Sequence, residues 1–176
     1  MRIISGKYKN HNILSPNSST THPMGERERL AIFNILYSHF GKNSLTSMSA
    51  LDLYAGTGAL GLEALSRGAS SCTFVENSHK VAWVLKQNLS RVDEPTKVIM
   101  QDVSAFIRHA QATNAKYNLI FLDPPYSAYS DTLVTEALTL LAPNGALVVS
   151  SPVEPSQDGK LVSRQFARCV ISVFVV

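Results

Sequence analysis

From residue 48 onward, short apolar runs of strand length alternate with longer stretches in which apolar residues recur every three to four positions. Parallel neighbouring strands need crossover connections, which helices usually supply. The alternation therefore predicts an α/β fold with a doubly wound, mostly parallel, Rossmann-like sheet. The predicted strands are residues 50–54, 71–76, 97–101, 118–123 and 146–150, and the predicted helices are residues 59–67, 78–91, 103–112 and 130–141.

The two ends of the chain depart from this alternation. Residues 159–167 and 168–176 are too short to include a helix and predict a closing antiparallel pair, which brings the sheet to seven strands. Residues 2–5 and 10–14 predict a basic β-hairpin, and residues 26–40 predict an amphipathic helix. We expect a hairpin and a leading helix ahead of the sheet.

The composition is that of a globular chain with room for one sizeable core. Its 176 residues are 45% apolar and 16% charged, and about 100–200 residues usually make one domain. We expect a single domain over residues 1–176, with residues 1–25 as an amino-terminal extension and residues 26–176 as the core. No apolar run approaches the roughly 20 residues of a membrane span, and the first residues do not resemble a secretory signal. These features predict a cytoplasmic protein with no membrane contact.

Neither the cysteines nor the histidines are spaced as metal ligands. Cys72 and Cys169 form no C-x-x-C pair, and the five histidines show no H-x-x-H or H-E-x-x-H spacing. Two ligands on one helical face would need such a spacing. We predict two reduced core cysteines and no metal.

The basic residues are concentrated at the ends of the chain. The net charge is +3, but residues 1–29 carry five basic residues against two acidic ones, and residues 159–176 carry three basic residues and no acid. This distribution favours an anionic partner such as nucleic acid, although the same charges also suit an ordinary solvated surface. The candidate nucleic-acid contacts are Arg2, Lys7, Lys9, Arg27 and Arg29.

A glycine-rich motif follows the first predicted strand. Residues 52–61 read DLYAGTGALG, which contains a complete G-x-G-x-x-G, and Glu76 ends the next predicted strand 20 residues after Gly56. Glycines let the backbone turn tightly and approach a ligand closely, and an acid in that place accepts the ribose hydroxyls of an adenosine. The motif suits a nicotinamide dinucleotide and S-adenosylmethionine equally well.

Other residues help to separate these two cofactors. No tyrosine is followed four positions later by a lysine, so a dehydrogenase would have a cofactor but no pair for proton transfer. Asp102, after the third predicted strand, would bond an adenine amino group, cap the helix that begins at Val103, or do both. S-adenosylmethionine is therefore favoured. The candidate cofactor-binding residues are Asp52, Gly56, Gly58, Glu76, Asp102 and Asp123.

The sequence Asp123-Pro124-Pro125-Tyr126 directly follows the fourth predicted strand. The nitrogen of an exocyclic base amine is planar and poorly nucleophilic, and acceptors for its two N–H groups would orient its lone pair. The Asp123 carboxylate and the Pro124 carbonyl can be those acceptors, because two prolines hold the backbone rigid. Tyr126 offers a face for an unstacked base. These four residues are the candidate catalytic residues, although the same motif is also an ordinary way to end a strand.

The chain resembles the RsmD-type family of class I methyltransferases along nearly its whole length. The resemblance is carried by the opening MRIISGK, the block THPMGER leading into AIFNIL, the stretch DLYAGTGALGLEALSRGA and the motif at residues 123–126. It implies methylation of the N2 amine of one guanine in small-subunit (16S) ribosomal RNA. It implies S-adenosylmethionine as donor, and ribosomal RNA or the assembling small subunit as the partner of a monomer. His22 departs from the arginine usual in the family and is a weaker anion partner.

Three alternatives stay open at this point. The Asp-Pro-Pro-Tyr motif also serves adenine-N6 methyltransferases acting on DNA or RNA. The glycine motif would also fit an NAD-binding oxidoreductase. A non-catalytic RNA-binding module that keeps a cofactor fold would bind RNA with strong salt dependence but turn over nothing.

Overall fold

The computed structural model describes residues 1–16, 24–41 and 45–176, and its centre is a seven-stranded sheet. Residues 15–21 are rich in Ser, Thr, Asn and Pro, which predicts a linker or loop, and they lie mostly outside these ranges. His22 lies outside them as well. The described helices are α1 (Glu26–Phe40), α2 (Ala59–Ser66), α3 (His79–Leu89), α4 (Val103–Ala112) and α5 (Asp131–Leu138), with a short 3-10 helix at Tyr126–Ala128. The described strands are β1 (Ser49–Leu53), β2 (Ser71–Glu76), β3 (Thr96–Met100), β4 (Tyr117–Leu122), β5 (Leu141–Ser151), β6 (Lys160–Gln165) and β7 (Val170–Val175).

The strand order confirms the predicted sheet. The order is β3-β2-β1-β4-β5-β7-β6, in which the first five strands are parallel and β7 runs antiparallel to both β5 and β6. This differs from the 3-2-1-4-5-6 order of dinucleotide-binding sheets. The connections change direction between β1 and β4, and the crevice beyond the carboxyl ends of such a pair is where open α/β sheets bind ligands.

The helices cover both faces of the sheet and form two apolar clusters. Leu62 of α2 and Leu85 of α3 join α1 on one face. Phe106 of α4 and Leu133 of α5 lie on the other face. Strands buried on both sides read as continuous apolar runs, which is why the sequence predicts them well.

The segment between β4 and β5 differs from the prediction. Helix α5 ends at Leu138 rather than at residue 141, and β5 begins at Leu141 rather than at residue 146. Leu141 pairs with Tyr117 of β4, and the register then shifts before the regular pairing resumes. A short leucine-rich run suits a helix or a strand, and only pairing across the sheet decides between them.

The amino-terminal hairpin is shorter than predicted. It contains one antiparallel bridge, between Arg2 and Asn12, instead of two strands. Its backbone is held by α2, because the N–H groups of Ile4 and Ser5 donate to the Glu63 carboxylate at 2.8 and 3.0 Å. Helix α2 thus supplies hydrogen-bond acceptors that a neighbouring strand would otherwise have supplied.

Within the described ranges, no helix has the length and apolarity needed to cross a membrane. The same ranges contain no group of three or more His, Cys, Asp or Glu side chains that could hold a metal ion.

Candidate active site

The glycine turn connects β1 to α2 through three residues with positive φ. Tyr54, Gly56 and Gly58 have φ values of +59°, +56° and +81°. Glycine enters this left-handed region freely, whereas a tyrosine there costs of order 1–3 kcal/mol, and such strain clusters at functional sites. The Gly58 N–H closes the turn by donating to the Ala55 carbonyl at 2.7 Å.

Two glycines of the motif serve the fold, and the third faces open space. A Cβ at Gly58 would come within 2.5 Å of Leu85, and a Cβ at Gly61 would come within 2.3 Å of Phe74. Both glycines allow close packing of α2 against its neighbours. A Cβ at Gly56 would meet only the Tyr54 carbonyl oxygen, at 3.8 Å. Packing therefore does not require a glycine at position 56.

Asp52 lies behind the turn rather than in the crevice. It is buried, and its carboxylate accepts the Gly61 N–H at 2.9 Å. Burial raises the pKa of Asp52 well above its usual range, the Gly61 hydrogen bond opposes the rise, and the charges of Asp123 and Glu76 add to it. Asp52 thus orients the start of α2, and its contact with a cofactor stays a prediction.

Glu76 reaches the turn from the end of β2. Its two carboxylate oxygens accept the N–H groups of Gly56, at 3.0 Å, and Ser78, at 2.9 Å. Each oxygen of a carboxylate has a second acceptor position. Glu76 can therefore shape the turn and still accept ligand hydroxyls.

Asp102 caps helix α4 and carries a charge near the turn. Its carboxylate accepts the Ala105 N–H at 3.0 Å, and its side chain is exposed. Burial raises the pKa of the Tyr54 hydroxyl, and the negative charge of Asp102 raises it further. The capping role is confirmed, and the contact of Asp102 with an adenine amino group stays a prediction.

Asp123 comes directly after β4, beside the glycine turn. Leu122 of β4 pairs in parallel with Leu53 of β1, so the next residues of both strands leave the sheet at the same edge. Burial raises the pKa of the half-buried Asp123 carboxyl to about 6, and the neighbouring Ser150 hydroxyl opposes the rise. A carboxyl with this pKa is ionised at neutral pH and takes up a proton under mildly acidic conditions.

The two prolines after Asp123 use their carbonyl groups differently. The Pro125 carbonyl accepts the Ala128 N–H at 2.8 Å, which starts the short 3-10 helix. Among the hydrogen bonds that the structure describes, none ends on the carbonyl oxygen of Pro124. Tyr126 is 54% exposed, and its hydroxyl donates to the Arg168 carbonyl. The motif thus leaves one backbone acceptor and one aromatic face free.

The predicted nucleic-acid contacts divide into a buried residue and surface residues. Arg29 is fully buried and donates to the Arg2 carbonyl at 3.0 Å. Burial lowers the pKa of Arg29, and the charge of Glu63 opposes this. The prediction that Arg29 contacts nucleic acid is wrong, because α1 directs its side chain into the core. Lys9 and Arg27 are exposed.

Arg2 and Lys7 are at the surface but already have acidic partners. Arg2 pairs with Glu26 at 3.3 Å, and Lys7 pairs with Asp93 at 3.1 Å and Glu94 at 2.9 Å. Exposed pairs of this kind contribute about 0–1 kcal/mol. An incoming anion can therefore compete for either cation.

Two residues of the candidate site, Ser150 and Asn88, belong to no sequence motif, and the sequence analysis did not identify them. Ser150, buried at the end of β5, reaches Asp123 because β4 and β5 are neighbours. Asn88 of α3 donates to the carbonyl oxygens of Thr57, in the glycine turn, at 2.9 Å and Leu14 at 3.0 Å. It also accepts the Leu14 N–H at 2.8 Å. The only local signal was an amide on an otherwise apolar helix face.

The comparison with protein families matches residues 1–165 to the family described as Conserved hypothetical protein 95. The chain belongs to this family. Membership covers the amino-terminal extension, the glycine turn and the Asp-Pro-Pro-Tyr motif together.

Several relatives match this chain over most of its length. It is 33% identical over 168 residues to the Ribosomal RNA small subunit methyltransferase D of Haemophilus influenzae, covering 93% of this chain and 82% of that protein. It is 32% identical over 148 residues to the protein of the same name from Escherichia coli, covering 84% and 69%. A solved hypothetical protein of Thermus thermophilus superposes with a TM-score of 0.86 at 27% identity, covering 100% and 99%.

Proposed function

We propose that this chain is an S-adenosylmethionine-dependent methyltransferase that methylates the N2 amine of a guanine in small-subunit ribosomal RNA. The observation that carries the proposal is the pairing of Leu53 with Leu122, which sets the glycine turn and Asp123 side by side at one sheet edge. The relatives named as ribosomal RNA methyltransferases support the substrate class.

The residues at the carboxyl ends of β1, β2 and β3 suit the cofactor. Gly56 leaves space that packing does not use, Glu76 keeps free acceptor positions, and Asp102 is exposed at the end of the row. When bound, S-adenosylmethionine supplies an electrophilic methyl carbon on a positively charged sulfur. Carboxylates near such a cation stabilise it, which fits the acidic character of this edge.

Asp123 and Pro124 suit the target amine. The ionised Asp123 carboxylate accepts one N–H of the amine, and the unused Pro124 carbonyl accepts the other. Both contacts orient the nitrogen lone pair before the reaction, which is preorganisation and not prior deprotonation. With a pKa of about 6, Asp123 can also hold the proton that the methylated amine loses.

Tyr126 and the amino-terminal extension are suited to binding the RNA. The exposed ring of Tyr126 gives an extruded base a face on which to stack. Lys9 and Arg27 are exposed, and Arg2 and Lys7 are available by exchange of their surface partners. The proposed unit is one domain over residues 1–176 that acts as a monomer, with residues 1–25 facing the RNA.

The test is methyl transfer from labelled S-adenosylmethionine to small ribosomal subunits that lack the modification, with the product nucleoside identified by mass spectrometry. Replacing Asp123 by alanine should lower the rate by about 100- to 1,000-fold, as for loss of a preorganised hydrogen-bonding group. Cofactor affinity, measured by calorimetry, should change little. A fully active D123A protein contradicts the mechanism, and N6-methyladenosine as the product contradicts the guanine assignment.

A further inference from the structure

Helix α3 carries an exposed tryptophan that the proposed site does not use. Trp83 is 63% exposed, the largest exposed fraction among the large apolar side chains that the structure describes. Exposing so large an aromatic surface is unfavourable in a protein alone, and exposed aromatic groups commonly mark binding surfaces. The surroundings of Trp83 show what it would bind.

The residues around Trp83 are basic or neutral. His79, Lys80 and Lys86 lie three or four positions from Trp83, which places them on the same side of the helix, and all three are exposed. Residues 77–92 contain no acidic residue. None of the ion pairs formed by the described residues involves Lys80 or Lys86. Their charges are thus available to an anionic partner.

Helix α3 extends from the candidate active site to the amino-terminal extension. It begins three residues after Glu76, the residue that bonds the glycine turn. Near its other end, Asn88 holds the backbone of Leu14, and Lys7 reaches Asp93 and Glu94 just beyond the helix. A ligand bound along this helix would therefore extend from the basic amino-terminal extension toward the candidate active site.

We infer that the outer face of α3, formed by His79, Lys80, Trp83 and Lys86, is a second RNA-contact surface, on which an unpaired base stacks against Trp83 and the two lysines contact phosphates. The inference rests on the proposed function for the identity of the RNA. Stacking on an aromatic ring with flanking cations is the usual way in which proteins hold unpaired nucleotides. Charge complementarity and continuity with the amino-terminal extension favour RNA over a second copy of this basic chain.

The chain contains one tryptophan, so its fluorescence reports on this surface alone. Unmodified small-subunit ribosomal RNA should quench the emission of Trp83 and protect it from iodide, and raising the salt concentration should reverse both effects. A single-stranded RNA oligonucleotide should quench the emission, whereas a fully paired duplex of the same length should not.

Variants of Trp83 and of the two lysines separate the contribution of base stacking to RNA binding from the contribution of charge. Replacing Trp83 by leucine should weaken RNA binding about 5- to 100-fold, whereas phenylalanine should retain most of the affinity. Replacing both Lys80 and Lys86 by alanine should lower the slope of log affinity against log salt by about 1.4 for single-stranded RNA. Arg108→Ala is the charge control, because Arg108 is exposed on α4, on the opposite face of the sheet.

The outcomes test the RNA-contact surface and the proposed function separately. If the wild-type protein methylates ribosomal RNA while Trp83 stays unquenched and W83L binds RNA normally, the surface is wrong and the function stands. If RNA quenches Trp83 but no methyl group is transferred, the surface stands and the function is wrong. A dimer that protects Trp83 from iodide without RNA, shown by sedimentation, would assign the surface to a second copy instead.

Discussion

At the scale of single residues, the carboxyl of Asp123 is controlled by its immediate neighbours. Burial raises its pKa to about 6, and the neighbouring Ser150 hydroxyl favours the charged form and so opposes the rise. The protonated carboxyl is a much weaker acceptor for the N–H of an amine than the charged carboxylate. The rate of methyl transfer should therefore fall about tenfold per pH unit below that pKa and level off above it.

Replacing Ser150 by alanine should move this acidic limb to higher pH. Loss of a hydroxyl that favours the ionised form leaves the burial effect unopposed, and the expected displacement is about one pH unit. The pH profile of kcat/KM measures it. Ser38→Ala, at an exposed position of α1, is the matched control. An S150A profile that overlays the wild-type profile would show that Ser150 does not act on Asp123.

At the scale of elements, Asn88 connects three parts of the chain that are distant in sequence. Its amide on α3 forms hydrogen bonds with both Thr57, in the glycine turn, and Leu14, in the amino-terminal extension. Buried backbone groups that lose their partners are costly. The hydrogen bonds of Asn88 therefore join the amino-terminal extension and the glycine turn to α3.

Replacing Asn88 by alanine should lower the free energy of unfolding by about 2–3 kcal/mol, because it removes two hydrogen bonds to the backbone of Leu14 and one to the carbonyl of Thr57, each contributing about 1 kcal/mol. Cofactor binding should weaken as well, since Thr57 belongs to the turn. Urea unfolding and calorimetry measure the two effects. Asn34→Ala, at an exposed position of α1, should change neither of them. Equal stability of N88A and N34A would refute the connection.

At the scale of the whole molecule, the amino-terminal extension is part of the core as well as a candidate RNA contact. Ile3, Tyr8 and Ile13 are buried in the cluster that α1, α2 and α3 share. The fully buried Glu63 binds the backbone of this extension and also pairs with Arg67 at 2.7 Å. The extension therefore closes one face of the sheet.

Removing residues 1–16 should destabilise the protein, because each of the three buried apolar side chains contributes about 1.5–3 kcal/mol. Thermal unfolding by circular dichroism should show a much lower midpoint. The double variant Lys7→Ala, Lys9→Ala is the contrast: it should stay nearly as stable as the wild type while binding RNA less tightly. A truncated protein with an unchanged midpoint would mean that the extension is only a surface attachment.

The sequence by itself determined the parallel sheet, the glycine turn and the position of Asp123 after β4, because each depends on residues close together in the chain. Apolar periodicity and short motifs are local signals. Only the tertiary structure placed Ser150 beside Asp123, set Asp52 behind the turn and buried Arg29. These features arise from pairing and packing between distant segments, which decide burial and partners and leave no trace in local spacing.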